Sequence, residues 1–323
     1  QFTSNVVYRG FCEGRGVTSA SVDDWREIPA VPTRAFKHLD LLSASPAEAT
    51  FQTSGTTSDL GLRGRHLIPR VSLYEASLLP CFSAHLMPEG KSLRFISLIP
   101  DPEDARGSSL SYMVGAAARR FASRTDYVVD GSGVVDHGVL AAALADAQAA
   151  AEAVLMLGTA FAFMNVMEHS DVCLGPLPQG SRIMETGGFK GRGRAVPRDE
   201  LYEAMSRATS VPVERIVNEY GMTELLSQLY EPVLTGESLG CGHIAPPWLQ
   251  VRAVDPTTLR ELPEGEAGLL TFFDLANAGS VAHILTEDFG AVRDGRVFLE
   301  GRAAGAEPRG CSRAMDELMA VAR

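Results

Sequence analysis

The sequence predicts an α/β protein with a mostly parallel, helix-covered sheet as its core and a smaller β-rich subdomain. Between residues 94 and 230, short apolar runs alternate with longer runs of helical periodicity. Such alternation is typical of right-handed βαβ units, in which helices cover both faces of a parallel sheet. Beyond Pro232 the chain contains short strand-like runs separated by Gly, Pro and Asp-Gly. The 323 residues, of which 45% are hydrophobic, are enough for a sizeable core.

The alternating region contains five expected strands and five expected helices. The strands are expected at residues 94–99, 127–129, 154–157, 182–184 and 215–217. The helices are expected at residues 108–122, 136–151, 160–168, 197–207 and 223–230. Asp136 suits an N-cap because its carboxylate can accept from the unpaired N–H groups of a first helical turn. Pro197 suits a first turn for the complementary reason, since it lacks an N–H.

The β-rich region supplies four further expected strands and a turn. The strands are expected at residues 249–254, 268–273, 282–285 and 297–299. Asp294 and Gly295 lie between the last two strands and suit a two-residue hairpin turn, in which both positions need positive φ. A last helix is expected at residues 312–322.

Charge and cysteine content exclude several classes of protein. The formal net charge is −11, which argues against a nucleic-acid partner because such a surface needs clustered Lys and Arg. No apolar run approaches the ~18 residues of a membrane span, and residues 1–10 do not resemble a signal peptide. The five cysteines are widely spaced without a CxxC pair, which disfavours a disulfide framework or structural zinc. We therefore expect a cytoplasmic protein.

The first motif with chemical meaning is the run Phe51-Gln-Thr-Ser-Gly-Thr-Thr-Ser58. Small residues let a backbone approach phosphate oxygens, and hydroxyl groups donate hydrogen bonds to them. Taken alone, the run is more typical of a polar surface loop. No GxxxxGK[ST] sequence occurs, so it is not a Walker loop.

The second motif is Asn218-Glu-Tyr-Gly-Met-Thr-Glu224, which follows an expected strand. Ligands of α/β proteins bind beyond the carboxyl ends of the strands. At such a place Tyr220 can stack on a base, Thr223 can reach a phosphate, and Glu224 offers a hard oxygen ligand to Mg²⁺. The alternative is an ordinary helix start with Thr223 and Glu224 as capping residues.

Two shorter motifs complete the set. Glu185-Thr-Gly-Gly188 also follows an expected strand, and its glycines permit close contact with a planar base. Thr286-Glu-Asp288 precedes Gly301-Arg302, and a carboxylate there can accept from both ribose hydroxyls. Taken alone, each of these is more typical of a turn than of a site.

In this order the four motifs resemble the core motifs of the adenylate-forming superfamily of acyl-CoA synthetases, peptide-synthetase adenylation domains and firefly-type luciferases. Nearly the whole chain looks more narrowly like the acyl-protein synthetases, also called long-chain-fatty-acid–luciferin-component ligases. The closer match is carried by Ile28-Pro29, Phe36-Lys37, the 51–58 run followed by Arg63-x-Arg65-His66, residues 156–161, residues 185–190, residues 218–224 and Arg309-Gly-Cys-Ser312.

The resemblance implies a role for each matching residue. Thr53, Ser54, Gly55, Thr56 and Thr57 would hold the β- and γ-phosphates of ATP. Gly187, Gly188 and Tyr220 would frame adenine, with Gly221 and Met222 in the same nucleotide site. Thr223 would contact the α-phosphate, Glu224 would bind Mg²⁺, and Asp288 would bind the ribose with Arg302 nearby.

The chain departs from the superfamily pattern in its cations and its expected domains. Most relatives carry a C-terminal domain with an adenylation lysine, whereas we expect a large adenylate-forming domain at 1–302, its β-rich subdomain at about 233–302, and a short tail at 303–323. Ser58 stands where the superfamily loop has Gly, and Arg63 and Arg65 are the nearby cations. Among three lysines, Lys190 is the best candidate for a catalytic lysine, ahead of Lys37; alternatively an arginine serves, or no lysine is needed.

Cys311 is the candidate acyl carrier on the expected tail. Arg309 and Arg313 flank it, and nearby cations raise the thiolate fraction of a cysteine. A helix beginning near Ser312 would add its dipole, and Gly310 would let the tail swing towards the adenylate. The equally weighted alternative is a structural thiol that packs the tail.

The sequence therefore predicts an enzyme that uses ATP and Mg²⁺ to convert a carboxylic acid into an acyl-adenylate with release of pyrophosphate. The acyl group would then form a thioester on a protein thiol and pass to a protein recipient, such as a reductase or carrier protein. Two alternatives are transfer to CoA, a carrier protein or a small-molecule amine, and a nucleotide-binding protein without catalysis. Gly236-Glu-Ser238-Leu-Gly240 matches a hydrolase motif, but Pro246 and Pro247 follow too soon for its long helix.

Overall fold

The computed structural model describes residues 1–53, 62–168, 173–187, 196–302 and 308–322. Within these residues the α-helices are α1 Val6–Gly14, α2 Val71–Leu86, α3 Ser109–Phe121, α4 His137–Ala149, α5 Ala160–Glu168, α6 Arg198–Thr209 and α7 Arg309–Val321. Short 3₁₀ turns are found at Trp25–Glu27, Thr33–Lys37, Val213–Arg215, Val233–Thr235 and Leu275–Asn277. No helix in these ranges is long and apolar enough to cross a membrane.

The same residues contain fourteen β-strands, which confirms the α/β class. They are β1 Val31–Pro32, β2 Ala49–Gln52, β3 Arg65–Ile68, β4 Leu93–Ser97, β5 Ala122–Tyr127, β6 Val154–Thr159, β7 Arg182–Thr186, β8 Ile216–Tyr220, β9 Leu229–Tyr230, β10 His243–Ile244, β11 Leu249–Val254, β12 Gly268–Asp274, β13 His283–Arg293 and β14 Arg296–Arg302. The chain divides into two compact units. The first unit is Gln1–Ser77, Met222–Gln228 and Gly242–Arg323, and the second is Leu78–Gly221 and Leu229–Cys241.

The second unit is built on the expected parallel sheet. Its strand order is β5-β4-β6-β7-β8-β9, and every neighbouring pair is parallel except β8 with β9. All residues of β4 and β7 are buried, as expected for strands covered on both faces. Side chains of α4, α5 and α6 join these strands in one apolar cluster, which includes Leu140, Phe163 and Leu201. The alternating sequence pattern therefore predicted this unit correctly.

Local signals fixed several boundaries in this unit. The carboxylate of Asp136 accepts from the N–H of Val139 at 2.9 Å, so the expected N-cap of α4 is confirmed. Pro197 stands one residue before α6, at its N-cap position.

The strand expected at 127–129 was misplaced, because β5 runs from Ala122 to Tyr127. Val129 makes only an isolated bridge with Val135.

The first unit contains an antiparallel sheet. Its strand order is β11-β12-β13-β14-β10, and β1 adds to β13 as a parallel neighbour. The turn between β13 and β14 consists of Asp294 and Gly295 with φ values of 51° and 69°, which confirms the predicted hairpin. Strands β2 and β3 form a separate two-stranded hairpin on either side of residues 54–61.

The helix expected at 223–230 is absent from the described structure. Residues 222–228 form turns and bends, and Leu229 and Tyr230 form β9, which pairs with β8. The apolar spacing of this run suits a helix, but side chains distant in sequence take up its backbone groups. Tertiary contacts have overridden local preference here.

The C-terminal helix begins three residues earlier than expected. Helix α7 begins at Arg309, after Pro308, and Val321 near its end packs against Gly10 of α1. Arg15 and Glu317 form an ion pair at 2.7 Å. In the described structure residues 308–322 thus form a helix packed within the first unit, and the swing of the tail stays a prediction that requires this helix to move.

Candidate functional site

The base of the predicted phosphate loop is closed by Thr53 and Gly64. The N–H of Thr53 donates to the carbonyl of Gly64 at 2.9 Å, and the N–H of Gly64 donates to the Thr53 hydroxyl at 2.8 Å. Thr53 thus extends the β2–β3 hairpin towards the loop. The other predicted phosphate ligands, Ser54, Gly55, Thr56 and Thr57, lie outside the described residues, as does Ser58.

The two arginines after this loop differ in their surroundings. Arg65 pairs with Asp40 at 2.7 Å, and both side chains are about half exposed. Arg63 is exposed. Arg65 is therefore already engaged with a carboxylate of its own unit.

His66 connects the predicted phosphate hairpin to the Thr223 motif. Its ring is fully buried, Nδ1 lies 2.8 Å from the carbonyl oxygen of Thr223, and Nε2 lies 2.8 Å from the Ser280 hydroxyl. Burial lowers the pKa of His66 to about 4, so the ring is neutral near pH 7. Because a carbonyl only accepts, Nδ1 carries the proton and Nε2 accepts from Ser280.

Two further side chains bind the 222–228 segment. The amide of Asn277 donates to the carbonyl of Glu224 at 2.8 Å. The carboxylate of Asp274 accepts from the N–H of Leu226 at 3.0 Å and from the Ser227 hydroxyl at 2.7 Å. Burial raises the pKa of Asp274 to about 6, although these hydrogen bonds oppose the rise. Asn277 and Asp274 are fully buried, so they replace the backbone partners that a helix would have supplied.

Thr223 and Glu224 thus lie on a segment fixed from within the first unit. The side chain of Thr223 is partly exposed, whereas Glu224 is 8% exposed. A carboxylate and a hydroxyl are oxygen donors of the kind Mg²⁺ prefers. Within the described ranges no three His, Cys, Asp or Glu side chains form a metal-binding group.

In the second unit, the carboxyl ends of β7 and β8 carry the predicted adenine motifs side by side. The strands pair Glu185 with Asn218 and Thr186 with Glu219, and both pairs are joined by side-chain hydrogen bonds. Gly187 follows β7 with a φ of 68°, a conformation that suits glycine, and it is exposed. Tyr220 ends β8 and is partly exposed. Gly188 and Lys190 lie outside the described residues.

A buried polar network that the sequence analysis missed lies beneath these strand ends. The carboxylate of Glu185 accepts from Asn218 Nδ2 at 2.6 Å and from the Tyr202 hydroxyl at 3.2 Å. Arg198 donates to the same hydroxyl at 3.1 Å and pairs with the buried Glu231. Burial raises the pKa of Glu185 to about 7, while Asn218 and Arg198 act to lower it. The sequence signal was Glu185 itself, a charged residue directly after the apolar pair Ile183-Met184.

Asp288 and Arg302 are brought together as their order in the sequence implied. They are register partners across β13 and β14, and Arg302 Nε lies 3.3 Å from Asp288 Oδ1. Asp288 is largely buried at its side chain, whereas that of Arg302 is 64% exposed. The carboxylate is therefore held in place while its partner remains accessible.

Cys311 lies in the first turn of α7. Its side chain is 2% exposed and packs with Val254, Leu269 and Leu285, and Sγ lies 3.8 Å from the carbonyl oxygen of Thr286. This carbonyl belongs to the same run of β13 as Asp288. Gly310 beside it donates its N–H to Pro256 at 2.8 Å, so it serves close packing here. The described state is the packed thiol of the structural alternative.

The chain matches one family model and is similar in sequence to a known ligase. A family model described as "Acyl-protein synthetase, LuxE" matches residues 1–320. The long-chain-fatty-acid–luciferin-component ligase of Vibrio harveyi is 25% identical over 302 residues, which cover 91% of this chain and 76% of that protein.

Two solved structures share the fold. A 2-hydroxyisobutyryl-CoA ligase, solved in the postadenylation state with 2-HIB-AMP, aligns with a TM-score of 0.66 and 14% identity over 93% of this chain and 64% of its own. ATP-bound MatB from Rhodopseudomonas palustris aligns with a TM-score of 0.57 and 15% identity over 81% of this chain and 49% of its own. The chain thus spans less than two thirds of either protein, and it has the fold of adenylate-forming ligases.

Proposed function

Because the chain belongs to the acyl-protein synthetase family, we propose that it activates a carboxylic acid with ATP and forms an acyl-protein thioester. In the first step the acid carboxylate attacks the α-phosphorus of ATP, which gives the acyl-adenylate and releases pyrophosphate. In the second step a thiolate attacks the acyl carbon of this mixed anhydride, which gives the thioester and releases AMP. The acid is a fatty acid or a related apolar acid, in keeping with the family.

The observation that carries this proposal is the contact between His66 and Thr223. It joins the hairpin that bears the predicted β- and γ-phosphate loop to the segment that bears the predicted α-phosphate and metal ligands. An enzyme that cleaves between the α- and β-phosphates needs both sets of donors fixed in relation to each other, because misplacement by about 1 Å can cost ~10²-fold in rate.

In the first step this chain supplies donors and orientation. Attack on the α-phosphorus builds negative charge on its oxygens, and the Thr223 hydroxyl is the donor assigned to that charge. Glu224 would hold Mg²⁺, which stabilises phosphate charge as a Lewis acid when bound. Within the first unit, Asp288 would bind the ribose hydroxyls.

In the second step Cys311 is the proposed carrier of the acyl group. Its thiol is buried in the described state, so acylation requires the first turn of α7 to move away from Val254, Leu269 and Leu285. Thr286, whose carbonyl contacts Sγ, is two residues from the proposed ribose ligand Asp288. We therefore expect nucleotide binding at Asp288 to affect the Cys311 thiol through the backbone between Thr286 and Asp288.

The burial of Cys311 also favours a second candidate for the acyl acceptor. If α7 stays packed, the acyl-adenylate reacts with a thiol that comes from outside, such as CoA or a carrier-protein thiol. The first step is the same in both cases, so the two candidates differ only in whether the acyl group remains on this chain.

Pyrophosphate exchange tests the first step directly. With ATP, Mg²⁺ and a series of carboxylic acids, we expect acid-dependent incorporation of labelled pyrophosphate into ATP. The absence of exchange with every acid, in a protein shown to bind ATP, would contradict adenylation and leave a non-catalytic nucleotide-binding protein. The second step is tested with a labelled acid. Label that stays on the protein after denaturation supports the acyl-protein thioester, and label that is lost on denaturation supports a free acceptor.

A further inference from the structure

We propose, on the premise of the adenylation function above, that His66 is a positioning residue whose imidazole fixes the orientation of Thr223 and Glu224 for adenylyl transfer. It is not a catalytic residue, because its ring is fully buried and both nitrogens are bound to groups of the protein. Its effect passes through the Thr223 carbonyl.

The 222–228 segment depends on side chains for its conformation. It is neither helix nor strand, so its backbone lacks the regular partners of a helix or a sheet. Its supporting side chains are His66 of β3, Asp274 at the end of β12 and Asn277 just after it. Ser280 contacts His66 in turn. Each of these side chains is at most 1% exposed. Loss of one would leave buried polar groups unsatisfied at this segment.

The two contacts nearest Glu224 fix its backbone on both sides. His66 Nδ1 binds the Thr223 carbonyl, which belongs to the peptide plane before Glu224. Asn277 Nδ2 binds the Glu224 carbonyl, which belongs to the plane after it. A peptide unit is planar, so fixing two successive carbonyls constrains φ and ψ of Glu224 and hence the direction of its side chain. The first of these planes also fixes ψ of Thr223.

His66 differs from the other supporting residues in its origin. It lies on β3, the second strand of the hairpin that carries the predicted phosphate loop, and Arg65 beside it pairs with Gln52 across β2 and β3. The sequence separation between His66 and Thr223 is 157 residues. A shift of this hairpin would therefore reach the Thr223–Glu224 peptide through one hydrogen bond.

The same unit contains a matched control in His283. Its side chain is 1% exposed, and its Nδ1 lies 2.6 Å from the carbonyl oxygen of Ile28, again a contact from histidine to backbone. Nothing in the proposed chemistry uses Ile28. Substitution of His283 thus reproduces the loss of a buried histidine and its backbone contact away from Thr223.

The experiment compares His66→Gln, His66→Asn and His283→Gln. A Gln amide nitrogen overlies Nε2 of histidine, so His66→Gln keeps the contact with Ser280 and loses that with Thr223. An Asn amide nitrogen overlies Nδ1, so His66→Asn retains the donor to Thr223. Pyrophosphate exchange is measured against ATP, acid and Mg²⁺ at a temperature where all variants are folded. Hydrogen–deuterium exchange of residues 222–228 is measured in the same samples.

We expect His66→Gln to lower kcat roughly 10- to 100-fold, with little change in KM for the acid, and to need more Mg²⁺ for half-maximal rate. His66→Asn should recover most of the rate. His283→Gln should lower thermal stability to a similar extent and leave kcat near the wild-type value. Deuterium uptake at 222–228 should rise in His66→Gln only.

The measurements distinguish failure of this proposal from failure of the adenylation function. If His66→Gln and His283→Gln have equal kcat, or if uptake at 222–228 is unchanged in His66→Gln, then His66 is an ordinary core residue and the proposal is overturned. If deuterium uptake rises in His66→Gln but the wild type shows no pyrophosphate exchange with any acid, His66 still orders the segment. In that case the adenylation function fails, and with it the role of His66 in adenylyl transfer.

Discussion

The amide nitrogen of Asn218 donates to the carboxylate of Glu185 across 2.6 Å, and the two residues are register partners on parallel strands β7 and β8. Each lies within two residues of a predicted adenine contact, Gly187 or Tyr220. Because the carboxylate also accepts from Tyr202, it ties α6 to the ends of both strands. The strand ends that carry the predicted adenine contacts therefore rest on a buried acid whose pKa is raised to about 7.

This acid should make stability depend on pH. The pKa of Glu185 is raised from 4.5 to about 7, so the folded state holds a proton that the unfolded state releases over that interval. Its contribution to stability is present below pH 4.5 and is lost as pH rises through 7. Complete loss of this contribution lowers the free energy of unfolding by an amount on the order of 3 kcal/mol.

We expect Glu185→Gln to become more stable relative to the wild type as pH rises across this window. The measurement is denaturant unfolding of both proteins at several pH values on either side of it. Glu203→Gln, on an exposed position of α6, is the control and should follow the wild-type pH profile. Parallel profiles for Glu185→Gln and wild type would mean that Glu185 is ionised throughout.

Glu224→Ala should abolish adenylation with little loss of folding stability. The substitution removes the proposed Mg²⁺ ligand, while the backbone contact from Asn277 to the Glu224 carbonyl is retained. We expect the exchange rate to fall roughly 10²- to 10³-fold, the range seen when one electrostatic group that stabilises a transition state is removed. Exchange at the wild-type rate in a folded Glu224→Ala protein would refute the assignment, and exposed Glu266→Ala serves as the control.

Asp288→Ala should raise the KM for ATP more than the KM for the acid. A charged hydrogen bond to the ribose contributes about 1.5–3 kcal/mol, which corresponds to roughly 10- to 100-fold in KM. Arg302→Ala should have a smaller effect, because its exposed guanidinium only supports Asp288. The two KM values come from exchange kinetics at varied ATP and acid, and an unchanged KM for ATP would mean that residues 286–288 are merely a part of β13.

Lys190→Ala should lower the rate of adenylation, whereas Lys91→Ala should not. Lys190 lies two residues after Gly188 in the predicted adenine motif, and Lys91 is an exposed residue before β4. A cation near a transferring phosphate stabilises the charge that develops there. Full activity of Lys190→Ala would transfer this role to Arg63 or make a cation of this chain unnecessary.

Cys311→Ser should keep adenylation and lose the acyl label that neutral hydroxylamine removes. The wild type is incubated with ATP, Mg²⁺ and labelled acid, denatured, and treated with hydroxylamine, which cleaves thioesters. Cys12→Ser is the matched control, because Cys12 is likewise a buried thiol of the first unit. Label retained by Cys311→Ser would assign the thioester to another cysteine, and a wild type that never retains label would favour a free acceptor.

Some elements followed from the sequence because their signals are local. The alternation of strand and helix predicted the parallel sheet of the second unit, and Asp294-Gly295 predicted the hairpin between β13 and β14. These two predictions needed only periodicity and turn chemistry. The placement of Asp288 near Arg302 was instead implied by the family resemblance, and the two residues are register partners across β13 and β14.

The 222–228 segment shows where such signals fail. Its apolar spacing predicted a helix, yet Asp274 and Asn277 bind its backbone from about fifty residues away, with sequence separations of 48 and 53. A pattern read along the chain contains no information about such partners. The start of α7 was also missed. The helix begins directly after Pro308, three residues earlier than expected, and Cys311 is buried in its first turn.

The sequence by itself determined the fold class, the order of the motifs and the residue types of the predicted ATP site, because these depend on local periodicity and on the chemistry of single side chains. Tertiary structure alone decided which buried polar groups are paired. His66 binds Thr223, Asn277 binds Glu224, and Glu185 joins Asn218 to Tyr202. The physical reason is that a polar group removed from water must find a partner, and in this protein the partners lie far along the chain.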